Sequence, residues 1–344
     1  MESIVILNYL EKDIAKVIDL VRKNDSVVAM LDGDVYEIKN YLYPSELSNY
    51  TAILDLNVYT RVTTLVNDQT IKEKDVEGCR WAAAIMAFCQ LAKINFYYSS
   101  SLQEYASLKG GLAAVTDFES FHRADNCEPQ ALVDFAVGKV KSLDLSSVAD
   151  LGPPSNVPAA SEFEKEIYEF RTSYIYVLKL ALLDREPISQ EDKMMLFMNW
   201  MECDYMLSAG ALHFANILFS PSRKRKMLKK RTISDIKNVG WDLALVHTWR
   251  LRALEGRERS EPVLLFTGDK TIKCVAKRLA TSDEEDFREY IVGPWKSHSQ
   301  IGEKIYERAK QLNALVESRW ADREPPSDEQ LNKMTSEYEL QLKP

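Results

Sequence analysis

The spacing of apolar residues divides the chain into long helical stretches that enclose a few strand-like runs. Ile4, Ile6, Leu7, Leu10, Ile14, Val17, Ile18 and Val21 fall at helical intervals and predict an amphipathic helix over 3–24. Residues 52–58 form a short apolar run with an acid inside it, the pattern of a buried parallel strand. Such a strand places Asp55 and Asn57 on one face and Leu54, Leu56 and Val58 on the other. A helix is expected over 75–93, with Trp81, Ala84, Ile85, Phe88 and Leu91 on its apolar side, and residues 95–99 read as a second strand. Strand, helix and strand in that order make a βαβ unit with a right-handed crossover. A further helix opens at Ser101. From about 110 to 222 the pattern is helical, broken by the loop Gly152-Pro153-Pro154-Ser155-Asn156 and periodic over 161–184 and 190–219. A helix is expected from about Asn238 to Leu254, strand character returns at 262–267 and 290–292, and the polar segment 321–344 reads as an exposed extension.

Composition narrows the class without changing this outline. The 344 residues are 46% hydrophobic and 28% charged, which excludes wholesale disorder. Only 12 glycines and 12 prolines are present, so a helix-rich fold is favoured over a many-turned sandwich or barrel. A net charge of −8 and a pI near 5.3 argue against global attraction to a phosphate polymer, though not against a local basic patch. No basic segment followed by an apolar one opens the chain, so no signal peptide is expected. The uncharged stretch 205–222 contains Ser208, Gly210, His213, Asn216 and Pro221 and reads as a buried helix rather than a membrane span. Five scattered cysteines without a CxxC pair are expected to be reduced thiols of a cytoplasmic protein.

Several common chemistries are excluded by their missing motifs. The chain has no GxxxxGK[ST] phosphate loop, no GxGxxG after a strand, no HExxH and no GxSxG. What remains is carboxylate chemistry. Asp55 sits in an apolar strand, where an acid is costly unless paired, hydrogen-bonded or bound to a metal; a cap or an arginine pair is the structural alternative. Asp269 follows the strand 263–267 by one glycine, and in open α/β sheets ligands bind beyond the carboxyl ends of the strands. Its structural alternative is the N-cap of a helix beginning near Lys270. Asp242 shares a helix face with Val246, Trp249 and Ala253, which points to a buried or cleft-lining acid, or to a favourable first-turn charge. Ser101-Leu102-Gln103-Glu104 fits a capping box, the simpler account of Glu104.

Taken together, the four places resemble the PIN-domain family of metal-dependent nucleases. Leu54-Asp55-Leu56-Asn57-Val58 is similar to that family's first strand with its Asp-x-Asn. The strand at 95–99 followed by Ser101-x-x-Glu104 is similar to the site of its second acid. Gly240-Trp241-Asp242-Leu243-Ala244-Leu245 resembles the third, and Leu264-Leu265-Phe266-Thr267-Gly268-Asp269 resembles the last strand with Thr-x-Asp. The likeness covers roughly 51–108 and 232–295. It implies an α/β, PIN-like three-layer fold with a central, mostly parallel sheet, interrupted by a large helical insertion. The corresponding organisation is an N-terminal helical extension over 1–50, a split nuclease core over 51–108 and 232–295, a helical insertion over 109–231, and a C-terminal helix and polar tail over 296–344. No second acid follows closely behind Asp269, a departure from the family pattern.

The resemblance implies an endoribonuclease in which Asp55, Glu104, Asp242 and Asp269 are both catalytic and metal-ligating, with Mg²⁺ or Mn²⁺ as cofactor. Asn57 and Thr267 would orient the ligating carboxylates. RNA would be hydrolysed to 5′-phosphate and 3′-hydroxyl ends, in a toxin-like or defensive role. The run Arg223, Lys224, Arg225, Lys226, Lys229, Lys230 and Arg231 is expected to bind nucleic acid, with Arg250, Arg252, Arg257 and Arg259 extending it. Tyr97, Tyr98, Tyr105, Trp241 and Trp249 flank the acids as core residues or base-stacking platforms. Partners are RNA and either a regulatory protein or a second copy of the chain, with no membrane. Two other readings stay open. One is an inactive nuclease-like module that binds nucleic acid or protein. The other is an α/β phosphatase or nucleotide-binding protein using Asp55 for Mg²⁺, disfavoured by the missing second strand-one acid.

Overall fold

A computed structural model of the chain describes residues 11–23, 26–30, 50–67, 71–144, 157–221, 228, 232–280, 284–319 and 324–343. These residues group into two units, 1–166 with 251–273, and 167–250 with 274–344. Helices dominate both, and a small mixed four-stranded sheet lies in the first, so the protein is broadly α/β.

The first unit begins with helix α1 (Glu11–Lys23) and strand β1 (Val27–Ala29). Strand β2 (Thr51–Leu54) runs directly into α2 (Leu56–Val66), and α3 (Val76–Leu91) leads to strand β3 (Asn95–Tyr97). Helices α4 (Ser99–Lys109), α5 (Gly111–Asp125), α6 (Pro129–Ala136) and the short α7 (Ala160–Phe163) follow. Gly110 separates α4 from α5 with a φ of +91°, a conformation that favours glycine. The second unit opens with α8 (Tyr168–Arg185), α9 (Gln190–Cys203) and α10 (Ala209–Phe219). The long α11 (Ile233–Arg259) carries the chain back to the first unit, where strand β4 (Val263–Phe266) completes the sheet. Helix α12 (Lys270–Ala280) returns to the second unit, which ends with α13 (Glu284–Val292), α14 (Ser299–Arg319) and α15 (Asp328–Leu342).

The sheet order is β1-β4-β2-β3. β2 pairs in parallel with both β3 and β4, with Ile53 opposite Tyr97 and Leu54 opposite Phe266, while β1 runs antiparallel to β4. The expected βαβ unit is therefore present as β2, α3 and β3, with α2 inside the crossover. Around it the first unit packs one core, in which every residue from Trp81 to Cys89 is buried. Tyr59 stacks on Phe121 at 4.9 Å, and Phe96 and Tyr98 close on the same ring. The second unit is built around α8, whose Tyr176 meets Phe197, Trp200 and Tyr205 edge-on.

Several local expectations are corrected. The run at 52–58 is a strand only to Leu54; Leu56, Asn57 and Val58 form the first turn of α2, so the two-faced strand placement of Asp55 and Asn57 does not hold. The segment before residue 50 is more than a helical extension, because β1 joins the sheet. Residues 290–292 belong to helix α13. The stretch 190–219 is two helices, parted at 204–208, where Ser208 caps α10. The polar C-terminal segment packs rather than extends. Leu331 and Leu342 are buried, the Tyr174 hydroxyl donates to Glu339 at 2.6 Å, and Trp200 donates to the Tyr338 hydroxyl at 3.0 Å. The uncharged stretch at 205–222 contains the buried helix α10, as expected, and no helix among the described residues is long and apolar enough to cross a membrane. All five cysteines are free thiols.

Candidate acidic site at the carboxyl edge of the sheet

Asp55 occupies the junction where β2 ends and α2 begins. Its backbone is extended (φ −66°, ψ 147°) and its side chain caps the helix by accepting from the Asn57 amide at 3.4 Å. The Asn57 side-chain amide also donates to Asp55 at 3.4 Å. The shortest bond to Asp55 comes from across the sheet, where the Thr267 hydroxyl donates to Oδ2 at 2.7 Å. Asp55 is 2% exposed, and burial raises its pKa above the usual carboxylate value. Thr267 and Asn57 oppose that rise as donors to the charged form, while the negative charge of Asp269 adds to it.

Thr267 and Asp269 are held by the corresponding strand-to-helix junction after β4. Asp269 caps α12 through Oδ1, accepting from the amides of Thr271 at 2.6 Å and Ile272 at 3.0 Å, as the capping alternative required. The Asp269 amide donates to Thr267 Oγ1 at 3.0 Å. One threonine hydroxyl thus ties together two acids that lie 214 positions apart in sequence and close two adjacent parallel strands. Thr267 is itself fixed, since its amide donates to the Ser26 carbonyl at 2.9 Å and the Ser26 hydroxyl accepts from Trp81 Nε1 at 3.2 Å. Gly268 lies against the Trp81 ring, where an added Cβ would stand 3.2 Å away. The Arg61 guanidinium covers Trp81 at 5.5 Å from the ring centroid.

Helix α4 docks on the same edge. The Ser101 hydroxyl donates to the Leu54 carbonyl, the last of β2. This corrects the capping box: the helix opens at Ser99, two residues before Ser101, so Glu104 is in its second turn and half-buried. Tyr97 ends β3 under the Arg252 guanidinium, 4.9 Å from its ring centroid. Asp242 belongs to the second unit. It is half-buried in the third turn of α11 rather than the first, because the helix begins at Ile233 behind a Thr232 cap. Val246, Trp249 and Ala253, which share its helix face, are buried as expected.

The structure therefore brings Asp55, Asp269, Asn57 and Thr267 into one hydrogen-bonded group, with Glu104 on a helix that docks beside it. Among the described residues no group of three or more His, Cys, Asp or Glu side chains is placed to hold a metal ion. The basic residues Arg223, Lys224, Arg225, Lys226, Lys229, Lys230 and Arg231 lie outside the described residues. Sequence reasoning weighed a cap at Asp55 but missed the helix that starts directly behind it, as well as the Ser101–Leu54 bond and the Trp81–Arg61 backing of Gly268. The first was available from Leu56, Tyr59, Val62 and Val66, whose spacing is helical from Asp55 onward. No family model matches the chain, and neither a curated protein nor a solved structure is found to be similar to it.

Proposed function

We propose that the first unit is a PIN-like nuclease domain and that the protein hydrolyses RNA phosphodiester bonds at the edge where β2 and β4 end. The observation that carries this reading is the Thr267 hydroxyl, which couples Asp55 to the Asp269 loop across adjacent parallel strands. Carboxyl edges of such strands are where α/β folds bind ligands.

The donor chemistry of this pair fits a hard divalent cation, Mg²⁺ or Mn²⁺. Asp55 is desolvated and its charge is opposed by Asp269, a combination that a cation relieves. Asp269 uses Oδ1 for its cap, leaving Oδ2 to ligate. Asp55 and Asp269 are the assigned ligands, with Glu104, on the helix that docks beside them, as a further carboxylate of the same reading. Bound there, such an ion supplies positive charge for activating water and for stabilising the departing oxygen. The chain's own part is positional. Thr267 holds the Asp55 carboxylate in one orientation, Asn57 bonds the same group, and the Asp269 cap fixes the second acid on a rigid helix start. Tyr97 and Arg252 offer a flat ring and a cation to single-stranded RNA beside the edge.

A second reading, an inactive nuclease-like module that holds RNA or a protein, draws on the fact that the described acids form no group of three. One assay separates the two. Purified protein with labelled single-stranded RNA is expected to yield 5′-phosphate fragments in Mn²⁺ or Mg²⁺, and EDTA or Asp269→Asn is expected to stop cleavage. RNA bound without cleavage supports the module, and cleavage that survives both changes overturns the metal-dependent mechanism.

A further inference from the structure

The second unit encloses two arginines and a histidine that, among the described residues, have no acid bonded to them. His213 on α10 is 2% exposed, Arg278 on α12 is 8% exposed, and Arg250 on α11 is half-buried. The Arg278 guanidinium stands over the Tyr290 ring at 5.6 Å, and the His213 ring meets Phe287 edge-on at 5.8 Å. Among the described residues, Arg278 Nε and Nη1, Arg250 Nε and His213 Nδ1 are buried without a hydrogen-bond partner. Neither arginine forms an ion pair among those residues. Besides its burial, Arg278 feels the Cys274 side chain, which also hydrogen-bonds it, and the Tyr290 side chain, but no Asp or Glu. Burial first, and then the charges of Arg278 and Arg250, push the His213 imidazole toward its neutral form, down to about 3.

A guanidinium keeps its charge in a protein interior, and a buried charge is tolerated only when something compensates it. Its fork of N–H groups matches the oxygens of phosphate. The helix that carries His213 is held to α13 by bonds of its own. The Asn216 side-chain amide donates to the carbonyls of Tyr290 at 3.2 Å and Ile291 at 3.1 Å, and Trp295 donates to Asn216 at 2.7 Å. Donors on three different helices suit a tetrahedral anion, whose oxygens point several ways, better than a planar carboxylate.

We propose that Arg278, Arg250 and His213 form an anion site for inorganic phosphate or the phosphate group of a phosphomonoester. The arginines supply charge and paired donors, and neutral His213 donates from Nδ1. The site lies in the second unit and does not depend on the nuclease reading. The test titrates the full-length protein, in phosphate-free buffer at matched ionic strength, with sodium phosphate, adenosine 5′-monophosphate or sodium acetate. Calorimetry is expected to show saturable binding of phosphate or of the nucleotide, with a higher melting temperature in that ligand and no such effect of acetate. Preference between the first two identifies the free ion or the monoester as the source. Arg278→Gln and, separately, Arg250→Gln are expected to weaken binding by at least about tenfold. Neither is expected to lower the phosphate-free melting temperature, because each removes an uncompensated charge. Absence of saturable binding, acetate binding as tight as phosphate, or unchanged phosphate binding in both variants would overturn the proposal.

Discussion

In the first unit two buried acids find donors within their own loops and neighbours. Asp55 accepts from Thr267 and Asn57, and Asp13 accepts from Lys139 at 2.7 Å. In the second unit the buried groups are mostly bases, and they divide. His247 is satisfied on both ring nitrogens, by Ser173 at 3.0 Å and Ser208 at 2.8 Å, whereas Arg250, Arg278 and His213 keep buried nitrogens that bond to nothing described. The difference follows from what a fold can supply locally. Helix starts and hydroxyls offer donors for an acid at almost any strand end, but buried carbonyls are already spent in helices, leaving few acceptors for a cation. An acid edge can therefore stand complete before it meets a ligand, while a cation cluster needs one.

The sharpest way to break this comparison is to remove the acids. Asp55→Asn and Asp269→Asn are each expected to lower RNA cleavage by roughly 100-fold or more, the scale of several kcal/mol of charge stabilisation, measured as initial rates in Mn²⁺. Asp55→Asn is also expected to melt no lower than wild type in EDTA, since it replaces a desolvated charge with a neutral amide of the same shape. Retained cleavage would mean that the edge is only a pair of caps.

Removing the link between the acids comes next. Thr267→Val keeps the shape but leaves Asp55 Oδ2 without its shortest bond and the Asp269 amide without its acceptor. It is expected to cost about 1–3 kcal/mol in denaturant unfolding. Equal stability would show that the hydroxyl bridge is incidental.

A third variant addresses an acid in the first unit that its neighbours do not satisfy. Asp117 Oδ2 is buried without a partner, and burial pushes its pKa up to about 6 against the opposing pull of the Thr63 hydroxyl. Its ordinary value is 3.8, so between about pH 4 and pH 6 the folded state holds more protons than the unfolded one. Stability therefore falls as pH rises through that window and levels above it. Asp117→Asn is expected to flatten the slope and raise the melting temperature by a few degrees at pH 7.5; an unchanged pH profile would count against a buried, protonated Asp117. The smallest effect belongs to the second unit, where Ser173→Ala removes one of the two bonds to His247 and is expected to cost about 0.5–1.5 kcal/mol.

The strands and the burial of the central helix were legible because apolar runs and periodicity report burial directly. Ala52 to Leu54, residues 263–266 and the buried stretch from Trp81 to Cys89 all follow from that signal. The Asp269 cap was legible too, since Asp before a helix is a local pattern. What escaped depends on pairing across the chain. β1 is only three residues long and gains its place from β4, and 290–292 is as apolar as a strand but is held in a helix whose carbonyls bond Asn216. The arginines escaped for the same reason: Arg250 reads as part of a basic surface, and Arg278 carries no signal of its own, until helices from distant parts of the chain enclose them.

Manganese binding without RNA tests the acid edge most directly. Titration of the metal-free protein with Mn²⁺, followed by electron paramagnetic resonance of the free ion, is expected to show saturable uptake by wild type and its loss in both Asp55→Asn and Asp269→Asn. Uptake that is absent from wild type, or identical in all three proteins, would contradict the assignment of these two carboxylates as metal ligands.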